Sequence, residues 1–216
     1  MTWIGYFNQT RFTQRSGVWA DLHLRQNDSF ILETHAFLGR LAYIYYVNDR
    51  TRLTAGYAYQ LQPGTHGKKD VPEHRAWQQI QWMEKKPFLA MMQWARFEQR
   101  FHQRGGDDEF TFSNYRLRYN LAFTFPLTRK EVQPKTPFIF TNNEVFVNFG
   151  KNIVNNYFDQ NRFFVGFGYQ FTHHLNAQLG YMNVFQQLPA GNEYVSSDAI
   201  RLFVFHSIDL RSGSAH

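Results

Sequence analysis

Between positions 89 and 125 the chain reads LAMMQWARFEQRFHQRGGDDEFTFSNYRLRYNLAFTF, two alternating stretches joined by a polar loop. In the first, Met92, Trp94, Arg96, Glu98 and Arg100 share one parity. Met91, Ala95, Phe97 and Phe101 share the other, with Gln93 and Gln99 as polar exceptions among them. In the second, Arg116, Arg118 and Asn120 alternate with Leu117, Tyr119, Leu121 and Phe123. A period of two puts successive side chains on opposite faces of a sheet. Each stretch therefore predicts a strand with one apolar, aromatic face and one face carrying Arg and Glu. Each run covers about 10 to 14 residues, whereas strands of soluble domains are usually about five or six long. A tilted strand needs about 9 to 11 residues to cross a bilayer, with lipid on one face and a polar lumen on the other.

The same unit recurs along the chain. Strands are predicted over 2–12, 18–26, 35–47, 52–61 and 75–84, and after the central pair over 138–150, 161–171, 175–186 and 198–210. The alternation is cleanest in 52–61, where Leu53, Ala55, Tyr57, Tyr59 and Leu61 oppose Arg52, Thr54, Gly56, Ala58 and Gln60. Asn48-Asp49-Arg50-Thr51 reads as a tight turn of the kind Asn and Asp favour. The segments 62–74, 126–137, 151–160 and 188–197 read as longer connections. Eleven strands result, with short and long connections in rough alternation. Outer-membrane barrels have an even strand number, so a strand missed, merged or lost upstream is expected. The reading is an all-β, antiparallel, up-and-down transmembrane β-barrel of about 10–12 strands, one domain over 1–211 with 212–216 as an added tail.

Composition agrees with this. Aromatic residues make up 19% of the 216, and charged residues another 19%. No window approaches the roughly 18 uninterrupted apolar residues of a membrane helix, so polar and apolar positions must interleave. The net charge is +6. All seven lysines fall in predicted turns and loops, and most of the 16 arginines fall in strands. Arg forks into planar hydrogen bonds and suits enclosed ion-pair networks, while Lys is a strongly hydrated point charge. A nucleic-acid partner would call for a clustered basic surface, and none is seen. The absence of cysteine removes disulfides, thiolate chemistry and Cys-based zinc sites. Met1 leads straight into a strand with no signal peptide, so a mature chain with an added Met1 is expected.

Several runs carry a resemblance. They are Glu73-His74-Arg75, the segment 95–101, Arg116-Leu117-Arg118-Tyr119, Asn143-Glu144-Val145-Phe146, Asp159-Gln160-Asn161-Arg162, Gly166-Phe167-Gly168-Tyr169 and Leu179-Gly180-Tyr181. Together, in order over nearly the whole chain, they resemble a family of Gram-negative outer-membrane proteins catalogued as a domain of unknown function. The resemblance implies an outer-membrane β-barrel and carries no activity, so no catalytic residue is transferred from it.

The inward parity is the main functional clue. Arg25, Arg40, Arg52, Arg75, Arg96, Arg100, Arg116, Arg118, Arg162 and Arg201 are expected on the polar side, against Asp21, Glu98, Glu144 and Asp209. Buried charges are costly unless paired, so a salt-bridged plug filling a narrow lumen is one expectation. The acids are too few to neutralise every arginine, and basic rings favour anions in pores; an anion-selective pore or pocket is the other. Leu53, Tyr57, Tyr59, Phe97, Leu117, Tyr119, Val145, Phe167 and Tyr169 are expected to face lipid. A lipid-modifying enzyme finds little support, since no serine sits in a Gly-x-Ser-x-Gly elbow. The adjacent His206 and Ser207 would point to opposite faces of their strand. His173-His174 lacks a third ligand at metal spacing, and no metal or cofactor is expected. A soluble lipocalin-like carrier remains the rival, with the opposite topology of polar exterior and apolar interior. The expected partners are the lipid bilayer and small anions.

Overall fold

In the computed structural model, residues 1–26, 34–64, 69–103, 109–188 and 190–211 are described. The tail expected at 212–216 lies outside them. The described chain contains eleven strands and no helix: β1 (Thr2–Arg11), β2 (Ser16–Gln26), β3 (Thr34–Tyr46), β4 (Thr51–Gln62), β5 (Val71–Lys86), β6 (Leu89–Gln103), β7 (Phe110–Pro126), β8 (Thr136–Phe149), β9 (Phe158–Gln170), β10 (Leu175–Gln187) and β11 (Tyr194–Asp209). Each pairs antiparallel with its neighbours in sequence, and the sheet closes on itself.

Closure differs from expectation in one respect. An odd number of alternating strands leaves the first and last running the same way, so β1 and β11 pair in parallel, in register from Thr2↔Ile200 to Arg11↔Asp209. Eleven strands close the barrel, and neither a merged strand nor an upstream one is needed. The ladder is therefore antiparallel everywhere except at this one seam.

Several boundaries also shift, most of them toward a longer strand. β5 starts at Val71 and takes in Glu73, which the loop assigned to 62–74 had absorbed. Pro72 suggested a break, but a proline near a strand's first residue is tolerated. β11 starts at Tyr194 rather than 198. β9 starts at Phe158, where a bulge interrupts the register: Phe146 pairs with Gln160 and Val147 with Phe158, so Asp159 is the extra residue. Lys85 and Lys86, expected in a turn, are the last residues of β5.

The strands sort the side chains as their period dictates. Ile4, Leu22, Leu41, Tyr43, Leu53, Tyr57, Ile80, Leu117, Phe163, Phe167, Leu179 and Leu202 all lie exposed on the outer surface. The inner face is not uniformly polar, contrary to expectation. Trp3, Phe7, Trp19, Leu38, Ile44, Trp77, Phe164, Met182 and Phe203 form a buried hydrophobic cluster inside the barrel. Inner-face glycines make room for these rings. A Cβ at Gly168 would lie 2.1 Å from the ring of Phe138, and one at Gly5 2.9 Å from the ring of Phe203.

Candidate functional site

The interior holds a cavity of about 910 Å³, and all ten arginines assigned to the inner parity line it. They come from β2 to β7, β9 and β11, so the constellation exists only once the sheet has closed. Five carboxylates are buried among them: Asp21, Glu73, Glu98, Glu144 and Asp159. Ten guanidinium groups against five carboxylates leave an excess of five positive charges along this wall.

The carboxylates organise three networks. In the first, Arg118 donates through Nε and Nη2 to Glu144 Oε1 at 2.7 and 2.5 Å, and through Nη1 to Glu98 Oε1 at 2.7 Å. Arg116 donates through Nε and Nη2 to Glu98 Oε2 at 2.9 and 2.6 Å, and through Nη1 to Asp159 at 3.1 Å. A ladder of alternating charge thus runs from Glu144 to Asp159 over β6 to β9. In the second, Glu73 accepts from Arg75 Nε at 2.6 Å and Arg100 Nε at 2.5 Å, with His102 Nε2 at 3.1 Å. In the third, Asp21 accepts from Arg40 Nε at 2.8 Å, has His23 Nε2 at 2.9 Å, and takes the indole N–H of Trp19. Burying these charges is tolerable because each carboxylate meets a donor fork shaped for it.

The remaining arginines are held differently. Arg96 is 4.0 Å from Glu98, donates to Gln79 at 2.9 Å, and lies 4.2 Å over the ring of Trp77. Arg52 donates to Gln9 at 2.6 Å and Gln81 at 2.8 Å. Arg25 lies 4.1 Å over Trp3, and Arg162 lies 4.4 Å over Phe146 while donating to Gln160 at 2.9 Å. Arg201 lies 3.3 Å over Phe164. Aromatic faces, which attract cations through their quadrupole, replace carboxylates here.

Two carboxylates that anchor these networks escaped the sequence reading. Glu73 continues the parity of Arg75, Trp77 and Gln79, so alternation carried two residues upstream finds it. Asp159 is turned inward by the bulge beside Gln160, and no period predicts that. Asp209 had been placed among the inward acids. It lies instead at the turn end, where Arg211 binds it at 2.5 Å. Nearby in the β3–β4 turn, a hydrogen bond from Arg11 holds the Asp49 carboxyl below its ordinary range.

The nine residues assigned to the apolar parity all point outward, with Phe167 the most exposed at 68%. Polar groups on this outer face are paired with one another. Gln99 and Gln78 bond reciprocally at 3.1 and 3.5 Å, as do Asn161 and Asn143 at 2.9 and 3.1 Å. Tyr119 bonds Gln93, Tyr57 bonds His74, and Tyr6 bonds His206 at 3.0 Å. The exceptions noted at Gln93 and Gln99 are thus satisfied sideways along the sheet. Among the described residues no three His, Asp or Glu side chains converge as a metal site would require.

The architecture defines a class: a closed eleven-stranded β-barrel with an apolar exterior and an arginine-lined interior. Within that class the chain belongs to the family described as "Protein of unknown function (DUF2490)", whose pattern matches residues 1–195. No curated protein and no solved structure matches it.

Proposed function

We propose that this chain is an outer-membrane β-barrel of a Gram-negative bacterium, with lipid around its exterior and a narrow, arginine-lined chamber inside that admits small anions. One observation carries the reading: the inversion of polarity across the sheet. A soluble barrel that exposed Leu41, Leu53, Phe167 and Leu179 while burying Arg96, Glu98 and Arg116 would aggregate, because its largest apolar surface would face water. In lipid the same arrangement is favourable. Ten residues rising about 3.3 Å each at a tilt of about 40° span roughly 25 Å, the height of the apolar band in such barrels. The mutually bonded Gln, Asn and Tyr side chains on the exterior fit a surrounding that cannot hydrogen-bond.

The charge imbalance inside supports the second half of the proposal. With five carboxylates for ten arginines, the chamber carries a positive potential that attracts anions and repels cations. The deciding experiment is conductance of the refolded chain in a planar bilayer under a salt gradient, beside flotation with lipid vesicles. Steady steps with an anion-selective reversal potential are expected. Cation selectivity would refute the anion chamber, and failure to float with vesicles would refute the membrane assignment and revive a soluble carrier.

A further inference from the structure

Of the inner arginines that hydrogen-bond no carboxylate, three lie together, apart from Arg52 and Arg96. Arg25 and Arg201 are both direct cross-strand partners of Trp3, one on β2 and the other across the parallel seam on β11. Arg162 joins them from β9, its guanidinium carbon 5.0 Å from the same Trp3 ring. Three buried donors here, Nε of Arg25, Nε of Arg201 and Nε1 of Trp3, have no acceptor among the described residues. Of Arg162, only Nε is bonded among the described residues, to Gln160. Arg201 makes one long bond, 3.4 Å, from Nη1 to Asn142.

Finished interiors satisfy their buried donors, and like charges gathered together repel; Glu144, the cross-strand partner of Arg162, takes its hydrogen bonds from Arg118. Arg25 and Arg162 share the Trp3 indole, Arg201 lies over Phe164 beside them, and the donors that all three keep to spare call for an anion. The neighbourhood also restricts which anion. Phe164 and Phe203 lie 3.3 and 4.5 Å from the Arg201 guanidinium, and Met182 is buried in the same cluster. The Glu98–Arg116–Arg118 ladder adjoins this group, with the Arg118 and Arg162 guanidinium groups 4.5 and 4.4 Å from the same Phe146 ring. One side of the chamber is therefore apolar and cationic together, and a cavity of about 910 Å³ has the size of a small-molecule site.

We propose that this side of the chamber binds an amphiphilic carboxylate. Its head takes the forks of Arg25, Arg162 and Arg201, and its hydrocarbon body lies against Phe164, Met182 and Phe203. The planar guanidinium groups match a two-oxygen acceptor, while an inorganic ion would leave the aromatic wall without a partner. The proposal deepens, and rests on, the anion-favouring reading of the interior.

The test is calorimetric titration of the full chain, folded in detergent, with sodium octanoate, with protein-free micelles as the blank. Acetate and 1-octanol supply head and tail separately. Saturable one-to-one binding of octanoate is expected, at least tenfold tighter than either. Arg201→Gln should weaken it at least tenfold, whereas Arg129→Gln, in the exposed β7–β8 connection, should leave it unchanged. If Arg201→Gln fails to fold, Arg25→Gln makes the same test. Octanoate binding no tighter than acetate, octyl phosphate binding tenfold tighter than octanoate, or full binding in the Arg25 and Arg201 variants would each overturn the proposal. The conductance measurement separates the two readings. Anion selectivity without octanoate binding removes this site and keeps the anion chamber, while loss of both removes the chamber as well.

Discussion

Glu98 offers the sharpest test of how the interior is held. Its side chain is 2% exposed and accepts three guanidinium bonds, from Arg116 at 2.6 and 2.9 Å and from Arg118 at 2.7 Å, with Arg96 4.0 Å away. In Glu98→Gln the shape stays and the charge goes. One amide oxygen can still accept, but the amide NH₂ now confronts a guanidinium. Two charge-assisted bonds are lost at about 1.5–3 kcal/mol each, and breaking a buried pair costs about 3–5 kcal/mol, so a loss of about 4 kcal/mol is expected. The assay is urea unfolding of the refolded barrel, with free energies extrapolated to zero denaturant. Asp49→Asn is the control. It removes an ion pair to Arg11 at 2.7 Å whose acid is 79% exposed, and exposed pairs contribute little. A loss below about 1 kcal/mol for Glu98→Gln would refute the view that this ladder is what makes the buried arginines tolerable.

Other predictions address the two faces of the sheet. Tyr57→Arg, at the middle of β4 on the outer face, should lower stability in lipid by about 2–4 kcal/mol; unchanged folding yield into vesicles would contradict the lipid-facing assignment. Gln99→Leu should cost about 1 kcal/mol by stranding Gln78, and Gln78→Leu with Gln99→Leu should recover it; equal stability of the single and double variants would show that the reciprocal amide pair is incidental. Gly168→Ala places a Cβ against the buried ring of Phe138 and should cost about 1–3 kcal/mol. Combined with Phe138→Leu it should cost less than the two changes added, and strict additivity in the same urea assay would refute the clash.

Much of the barrel was legible in the chain because period-two alternation is a local signal. Runs such as 52–61 and 115–125 carry it without interruption, and the ten arginines assigned to one parity all reach the interior. The resemblance to a family of unknown function also pointed to the right family. Signals failed where a local irregularity overrode the period. The loop assignment of 62–74 hid the first four residues of β5, Glu73 among them, and the bulge at Asp159 turned a presumed loop residue into a partner of Arg116.

The alternation along the sequence by itself determined that strands form, roughly where they lie, and which side chains share a face, because each depends only on a residue's neighbours in the chain. The tertiary structure alone decided how the ends meet and which charges find each other. An odd strand count forces a parallel seam, a consequence visible only on closure. That seam places Arg201 beside Trp3 and Arg25, residues some two hundred positions apart. The sequence reading could count ten arginines against too few acids. Only the closed sheet could pair Arg116 and Arg118 with Glu98 and leave Arg25, Arg162 and Arg201 together without a bonded carboxylate, because ion pairing depends on distance in space and not on order along the chain.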